Sequence, residues 1–264
     1  MDVTGKTSRH GTGLRTPERN RYFYGKLLDA YHFDLETGYF NGKRRLLNRL
    51  VSGYGVLCGL DVQLTHDKQS IVVLPGVALD KCGAEIIVPE VSKPVALPEI
   101  IAEKDDRPGS AKDAGHADQK CPPKRHVHVL LCYYECESDP APVLAGDCDT
   151  EDICKPSLVR ERYRIVIKEG PAPELHMECA LGTAVSGNQI DYRALARWVT
   201  GACPALPDDC CICLADVQVP DYGDYDPADI DITVRPIVYT NDLLFEIILA
   251  LTCGEHSQPR GGKS

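Results

Sequence analysis

Thirteen cysteines are the residues of this chain best able to do chemistry, as zinc ligands, in disulfides or as buried thiols. Two clusters stand out, CYYECESDPAPVLAGDCDTEDIC and CPALPDDCCIC. In the second, Cys210 and Cys213 are separated by two residues, a spacing that supplies half of a tetrahedral zinc site from one turn. We therefore predict a structural zinc ion between the clusters, with disulfides and unligated thiols as open alternatives. The candidate metal ligands are Cys136, Cys148, Cys154, Cys203, Cys210 and Cys213.

The remaining cysteines have a simpler interpretation. Four of them have apolar or small neighbours and are expected to be buried thiols: Cys58, Cys82, Cys179 and Cys253. Cys132 alternates with Tyr133 along a predicted strand, which places its side chain on the inner face and makes it a core candidate. Cys121 lies alone in a charged stretch and receives no role.

Histidines and aspartates offer weaker metal signals. His126 and His128 alternate on one predicted strand and share a face, but no carboxylate lies at a matching position nearby, which favours structural histidines. An aspartate-rich stretch lacks the spacing and the closing Glu of an EF-hand loop, so we interpret it as a solvated acidic loop. Its members are Asp221, Asp224, Asp226, Asp229 and Asp231.

Sequence motifs of common enzymes are mostly missing. The chain has no phosphate-binding loop that ends in Gly-Lys-Ser/Thr, no nucleophile elbow and no His-Glu-x-x-His. Gly53, Gly55 and Gly59 follow a predicted helix and enter a strand, the reverse of a dinucleotide-binding loop, so they predict a turn. We expect no catalytic residues. A metal-dependent hydrolase built on the two histidines is the least favoured alternative.

Composition narrows the class of partner and compartment. The 264 residues are 43% hydrophobic and 26% charged, which is typical of a globular protein, and the formal net charge is −10. This charge argues against nucleic-acid binding and against binding to anionic membranes. Because no apolar run approaches 18 residues and the N-terminus lacks the apolar core of a signal peptide, we expect a cytoplasmic protein without membrane insertion.

Helical periodicity is strongest near the N-terminus. It predicts a helix over about 29–51, with Asp29 as N-cap and Gly53 at its end. Asp191–Val199 predicts a short capped helix. Asn241–Thr252 predicts a C-terminal helix capped by Asn241, and because it is apolar nearly all round we expect it to be buried or to form a partner surface.

Short apolar runs between turn residues predict a mainly β (α+β) fold, an antiparallel β-sandwich or barrel-like core. The predicted strands are Val56–Leu64, Ile71–Leu74, Val77–Leu79, Glu85–Val88, Pro94–Leu97, His126–Glu135, Val159–Lys168, Ile212–Val219 and Asp231–Val234. The predicted organisation is a flexible arm (1–18), one β-rich domain (19–253) with a loop insertion at about 103–125, and a disordered tail (254–264).

A basic run, which also contains Lys43, ends the first helix. Arg44, Arg45 and Arg49 suit the negative end of the helix dipole, and a solvated helix face explains them without a ligand. The alternative is that these three arginines form an interface with an acidic partner.

Two segments, Glu18–Val62 and Pro75–Pro89, together resemble a poorly characterised family of proteins encoded with phage-tail-like contractile injection systems. The pattern is Arg21-Tyr22-Phe23-x-Gly25-Lys26-Leu27-Leu28, Phe33, Tyr39, Arg44-Arg45-Leu46-x-Asn48-Arg49-Leu50, Gly53-Tyr54-Gly55-Val56, Gly59-Leu60 and Gly83-x-Glu85-Ile86. The later pieces Tyr134-Glu135-Cys136 and Tyr239–Glu246 are also similar to it.

The resemblance implies a structural or adaptor subunit of a contractile particle: a baseplate, fibre-attachment or cap-associated component. Its partners would be other subunits of that particle, in which the chain would be oligomeric. The assembled particle could be released. The zinc prediction does not come from the resemblance. The alternative function is therefore a zinc-stabilised protein-interaction module unrelated to a tail.

Overall fold

The computed structural model describes residues 14–100, 125–142, 154–175, 185–186 and 189–254. Most of the predicted arm, all of the predicted loop insertion except Arg125, and all of the predicted tail except Gly254 lie outside these ranges. The division of the chain into an arm, a domain and a tail therefore stays a prediction.

The first helical region consists of two segments. Helix α1 spans Ala30–Leu47 and continues as a π-helical segment, Asn48–Ser52. The Asp29 carboxylate accepts a hydrogen bond from the His32 backbone N–H at 3.2 Å, as expected of an N-cap. Gly53 follows with φ +78°, a conformation that glycine adopts at little cost, and the helical geometry ends there.

Six short strands follow α1 and form two three-stranded antiparallel sheets. One sheet has the order β1-β4-β5 and the other β2-β3-β6. Their bounds are β1 Gly55–Gly59, β2 Val62–Leu64, β3 Ser70–Val73, β4 Gly76–Leu79, β5 Glu85–Val88 and β6 Val95–Ala96. These strands match the predicted runs, except that the first run is divided into β1 and β2.

A third sheet contains the longest strands. Its order is β12-β11-β7-β8, with β7 His126–Pro142, β8 Cys154–Glu169, β11 Ile212–Gln218 and β12 Ile230–Asp231. Strands β7 and β8 pair antiparallel over nearly their whole length. The side chains of β7 are buried at its N-terminal half and mostly exposed from Tyr134 onward. The far half of this hairpin is therefore a solvent-exposed ribbon, longer than the strands that the sequence predicted.

One hydrophobic core joins the three sheets, because strands from each contribute side chains to the same buried cluster. Its fully buried members include Ile71, Ile86, Leu131, Ile212 and Leu214. The mainly β prediction is confirmed for the described residues. The choice between a sandwich and a barrel-like closure stays a prediction.

The remaining elements lie between or after the large strands. A two-stranded hairpin consists of β9, Val185–Ser186, and β10, Gln189–Ile190. Helix α2 follows at Tyr192–Val199, where the Asp191 side chain accepts from the Arg193 backbone N–H at 2.9 Å. A 3₁₀ turn at Pro227–Asp229 precedes β12.

The C-terminal helix α3 spans Asn241–Gly254, and its cap is not the residue that the sequence predicted. The Thr240 hydroxyl accepts from the Leu243 N–H at 3.2 Å, and the Thr240 carbonyl accepts from the Leu244 N–H at 2.9 Å. The prediction of a buried helix is also wrong, because every described side chain of α3 except that of Leu243 is exposed and none is buried. An apolar pattern indicates that a helix needs cover, but it cannot say whether the same chain supplies the cover.

Candidate functional site

The cysteines show how far the sequence-predicted zinc site is assembled. Among the described residues two disulfides are present, Cys82–Cys210 and Cys132–Cys211. Cys210, a predicted zinc ligand, is therefore not available as a thiolate. Cys82 was predicted to be a buried free thiol and Cys132 a core residue, and both are half-cystines. The adjacent residues Cys210 and Cys211 thus tie the start of β11 to the β4–β5 turn and to β7.

The β4–β5 turn holds Cys82 in position. The buried Asp80 carboxylate accepts from the backbone N–H groups of Cys82 at 2.9 Å and Ala84 at 2.8 Å. Burial raises the pKa of Asp80, although both of these hydrogen bonds favour the charged form. The Lys81 N–H also donates to the Cys210 carbonyl at 3.1 Å, so backbone hydrogen bonding supports the disulfide at this turn.

Two other candidate ligands lie far apart on the exposed ribbon. Cys154 pairs with Pro142 and Cys136 pairs with Arg160, so the two cysteines are separated by six residue pairs along the hairpin. At about 3.3 Å per residue this separation is about 20 Å. Both thiols are free and exposed. One zinc ion cannot bind both of them in this arrangement.

Cys213 is a buried free thiol in a small apolar cluster on the third sheet, with Leu130 and Cys132. Burial raises its pKa to about 11, which disfavours the thiolate that zinc requires. Cys58, predicted to be buried, is exposed. A β-bulge between Val56 and Cys58 shifts the strand register there, so the simple alternation expected from the sequence fails.

Among the described residues, no group of three or more His, Cys, Asp or Glu side chains is placed to hold a metal ion. The thiol of Cys203 is free and exposed, whereas Cys148, Cys121, Cys179 and the side chain of Cys253 lie outside the described part. The zinc ion therefore stays a prediction, and the described residues contain no ligand set for it.

The two histidines have structural partners. His126 Nδ1 lies 2.5 Å from Asp216 Oδ2, and the other oxygen of Asp216 accepts from the Ala172 N–H at 2.7 Å. His128 Nδ1 lies 2.9 Å from the Gly170 carbonyl oxygen. The carboxylate beside His126 comes from the neighbouring strand β11, 90 residues away in sequence, so no local sequence pattern could predict this pair.

Two aspartates of the stretch that we predicted to be a solvated acidic loop act in turns. The Asp226 side chain accepts from the Ala228 N–H at 3.0 Å and begins the 3₁₀ turn. The Asp231 carboxylate accepts from the hydroxyl of Thr233 at 2.7 Å and from its N–H at 2.8 Å, and these bonds lower the pKa of Asp231. Both roles are ordinary for aspartate in turns.

The basic end of α1 is attached to the β4–β5 turn. Arg44 Nε lies 3.1 Å from Glu85 Oε1. The amide of Asn48 donates to the Gly83 carbonyl at 2.9 Å and to Glu85 Oε1 at 2.8 Å. A Cβ on Gly83 would lie 2.1 Å from the Arg45 carbonyl oxygen, so only glycine permits this close approach.

The other two arginines also have partners within the chain. Arg45 Nη2 lies 3.3 Å from Glu135 Oε1, and its guanidinium lies 5.2 Å from the centre of the Tyr133 ring. Arg49 Nη1 donates to the Pro204 carbonyl at 2.8 Å. All three candidate interface arginines thus contact other parts of the same chain: Arg44 and Arg45 contact strand residues, and Arg49 contacts the loop before β11. Whether they also contact a partner stays a prediction.

Exposed apolar side chains on α1 form the feature least explained by the fold. Phe33, Phe40 and Leu47 recur every seven residues, so they lie along one face of the helix. Their exposed fractions are 57%, 61% and 60%. We call these three residues the α1 stripe. The sequence showed the spacing, but nothing in it distinguished a buried stripe from an exposed one.

A second exposed apolar surface precedes α1. The side chains of Tyr22, Phe23, Tyr24 and Leu27 are each more than half exposed, around a turn in which the Lys26 N–H donates to the Phe23 carbonyl at 3.1 Å. Gly25 has φ +82° in this turn. Aromatic residues in a turn match no catalytic or metal-binding motif, so the sequence does not mark this segment as a site.

The clefts formed by the described residues include the following two. One, of about 520 Å³, is lined by Gln69, Pro98 and Tyr225, and the Tyr225 hydroxyl donates to the Pro98 carbonyl at 2.9 Å. The other, of about 690 Å³, lies between Leu14–Glu18 and α1. Neither brings together groups that we can assign to a reaction. No helix of the described part is long and apolar enough to span a membrane.

No protein-family model and no curated protein matches the chain. Among solved structures, the chain is similar to the one described as "Crystal structure of TssK", with a TM-score of 0.38 and 14% sequence identity. The match covers 94% of this chain and 51% of that chain, so this chain spans about half the length of the TssK chain.

Proposed function

We propose that this chain is a structural or adaptor subunit of a phage-tail-like contractile injection system, at its baseplate, in a fibre attachment or at its cap, and that it catalyses no reaction. The observation that carries the proposal is the α1 stripe, a row of apolar side chains exposed within the region that resembles the family. Exposed apolar surface of this kind is typical of protein interfaces.

The two resembling segments also form one structural unit. Helix α1 and β1 belong to the first segment, and β4 and β5 belong to the second. They meet through the ion pair between Arg44 and Glu85, through the Asn48 amide and through the pairing of β1 with β4. This unit is held by internal contacts on one side, and its solvent side carries the α1 stripe. We propose that another subunit of the particle packs on that stripe.

The alternatives receive less support. Nothing in the described residues favours a zinc-stabilised module or a metal-dependent hydrolase, since no metal-ligand group is assembled among them. We propose that the chain is made in the cytoplasm and assembled there into the particle.

The test is incorporation into particles. In a producing strain, the chromosomal gene is replaced by a tagged copy or deleted, particles are isolated by sedimentation, and the chain is quantified by mass spectrometry relative to the sheath protein. We expect the chain to sediment with the particle at a constant ratio, and its deletion to reduce particle yield or contraction. A chain that never sediments with intact particles would contradict the proposal.

The contact is tested with F33S/F40S on the α1 stripe. We expect this variant to fold and to lose incorporation, because both rings are more than half exposed and the sheets do not depend on them. The matched control is Y192S/W198S on α2, where two aromatic side chains are also more than half exposed. Equal loss in both variants would show that the α1 stripe has no special role.

A further inference from the structure

Two other exposed surfaces of this chain have opposite charge and matching apolar content. The first is the segment Arg19–Leu28, which we call the aromatic arm. The second is helix α3. Among their described side chains, only that of Asn20 in the arm is buried. These two surfaces are separate from the α1 stripe.

The aromatic arm is basic. Arg19 and Arg21 are exposed and have no ion-pair partner among the described residues, and the three aromatic rings that follow Arg21 are more than half exposed. No acidic residue lies within Arg19–Leu28. Arginine and aromatic side chains are the types most enriched at the centres of protein interfaces.

Helix α3 has the complementary character. Its charged residues are Asp242 and Glu246, and it contains neither Lys nor Arg. Both carboxylates are exposed, and they lie on the same side of the helix as Phe245, because residues three and four apart share a face. Phe245 and Leu251 are more than half exposed. The surface is therefore apolar with two carboxylates beside its central ring.

We infer that the aromatic arm of one copy of this chain binds helix α3 of the next copy, which makes a head-to-tail homo-oligomer. The arginines would meet Asp242 and Glu246, and the aromatic rings would pack on Phe245. Two α3 helices packed on each other would leave the carboxylates without a cation, so charge favours the contact between unlike surfaces. A head-to-tail contact of this kind closes into a ring or extends as a filament.

The test measures mass in solution and needs no particle. Light scattering coupled to size exclusion, with native mass spectrometry, is applied to the wild-type chain, to R19E/R21E and to D242K/E246K. We expect the wild type to exceed its chain mass of 29.0 kDa and each variant to dissociate, with the dissociation constant raised at least about tenfold. Far-ultraviolet circular dichroism checks that each variant is folded.

Mixing the two variants distinguishes this contact from any other. In an equimolar mixture, the reversed arm of one variant faces the reversed α3 of the other, and the native arm faces the native α3. The mixture should therefore reassociate with the two variants alternating, as a filament or as a ring with an even number of copies, and the quadruple variant should regain the wild-type mass. A contact between two identical surfaces would be altered by only one of the two double variants, so the other would keep the wild-type mass.

The control R162E/R193E makes the same net-charge change as R19E/R21E at exposed sites outside both surfaces and should keep the wild-type mass. If a reversal variant does not fold, R19Q/R21Q and D242N/E246Q carry the same test at smaller amplitude. A monomeric wild type at all concentrations, unchanged masses in folded variants, or a mixture that stays monomeric would each overturn the inference. None of these results depends on whether the chain belongs to a contractile particle.

Discussion

Strands and helices of this molecule use their apolar residues differently. Leu131 in β7 is fully buried, whereas Leu47 in α1 is 60% exposed. The sheets share one core, and the buried apolar side chains come from strands and from the turns beside them. The helices contribute no buried side chain among those described. Burial of apolar surface is the main favourable term in folding, so the sheets carry most of the stability of the chain, whereas the helices leave apolar side chains exposed.

The two regions also differ in how they are linked. The sheet region is cross-linked by two disulfides, and α1 is attached to it by polar contacts at its C-terminal end. This comparison shows that the apolar residues of a helix need not be buried in the core of their own chain. The predictions below test the division, from the largest expected effect to the smallest.

Removal of both disulfides should have the largest effect. They close sequence separations of 128 and 79 residues, and a native disulfide typically contributes about 2 to 4 kcal/mol of stabilisation. We expect C210S/C211S to lower the free energy of unfolding, measured with guanidinium, by the sum of such contributions. C136S removes an exposed free thiol and should change nothing. Equal stability of C210S/C211S and wild type would refute the cross-linking role.

Truncation of a core leucine tests the sheet region directly. Leu131→Ala should cost about 2 to 5 kcal/mol, because it leaves a cavity opposite Ile212 in the shared core. Leu47→Ala makes the same chemical change on the α1 stripe and should stay within about 0.5 kcal/mol of wild type. Thermal and denaturant unfolding measure both. Similar losses for the two variants would erase the distinction between strands and helices.

Gly83→Ala tests the attachment of α1. It should cost about 1 to 3 kcal/mol, because φ is +88° there and the new Cβ would meet the Arg45 carbonyl oxygen. Gly223→Ala is the control, since Gly223 has φ +84° and an added Cβ would meet nothing within 4 Å. The difference in stability loss between Gly83→Ala and Gly223→Ala measures the effect of the contact with the Arg45 carbonyl oxygen. If they are equal, α1 does not depend on Gly83 for its position.

The buried thiol of Cys213 gives the smallest effect, and it depends on pH. Burial raises the pKa of the Cys213 thiol in the folded state to about 11, whereas a thiol in the unfolded chain has a pKa of about 8.5. The contribution of this thiol to the free energy of unfolding is therefore fully present below about pH 8.5. It is lost as the pH rises toward about 11, because in this range only the unfolded chain releases the proton. Relative to Cys213→Ala, the wild type should lose about 2 kcal/mol of stability between pH 8 and pH 10.5.

Denaturant unfolding of both proteins across this range measures the difference. Cys136→Ala serves as the control, since the thiol of Cys136 is exposed and free. A flat difference between wild type and Cys213→Ala would show that the thiol is not shielded from water in the folded state.

The sequence by itself determined the local elements. Periodicity two between Gly and Pro residues located β3, β4 and β5 to within a residue, and Asp29 marked the start of α1. These features depend on side chains that are neighbours in sequence, and the physical reasons act over a few residues.

Only the tertiary structure decided which distant groups meet. Cys210 forms a disulfide with Cys82 and does not share a zinc site with Cys213. The carboxylate beside His126 comes from another strand. The fate of the apolar helices was also open, since α3 has the sequence of a buried helix and is exposed. Burial and pairing depend on the packing of sheets separated by long stretches of chain, and no local pattern contains that information.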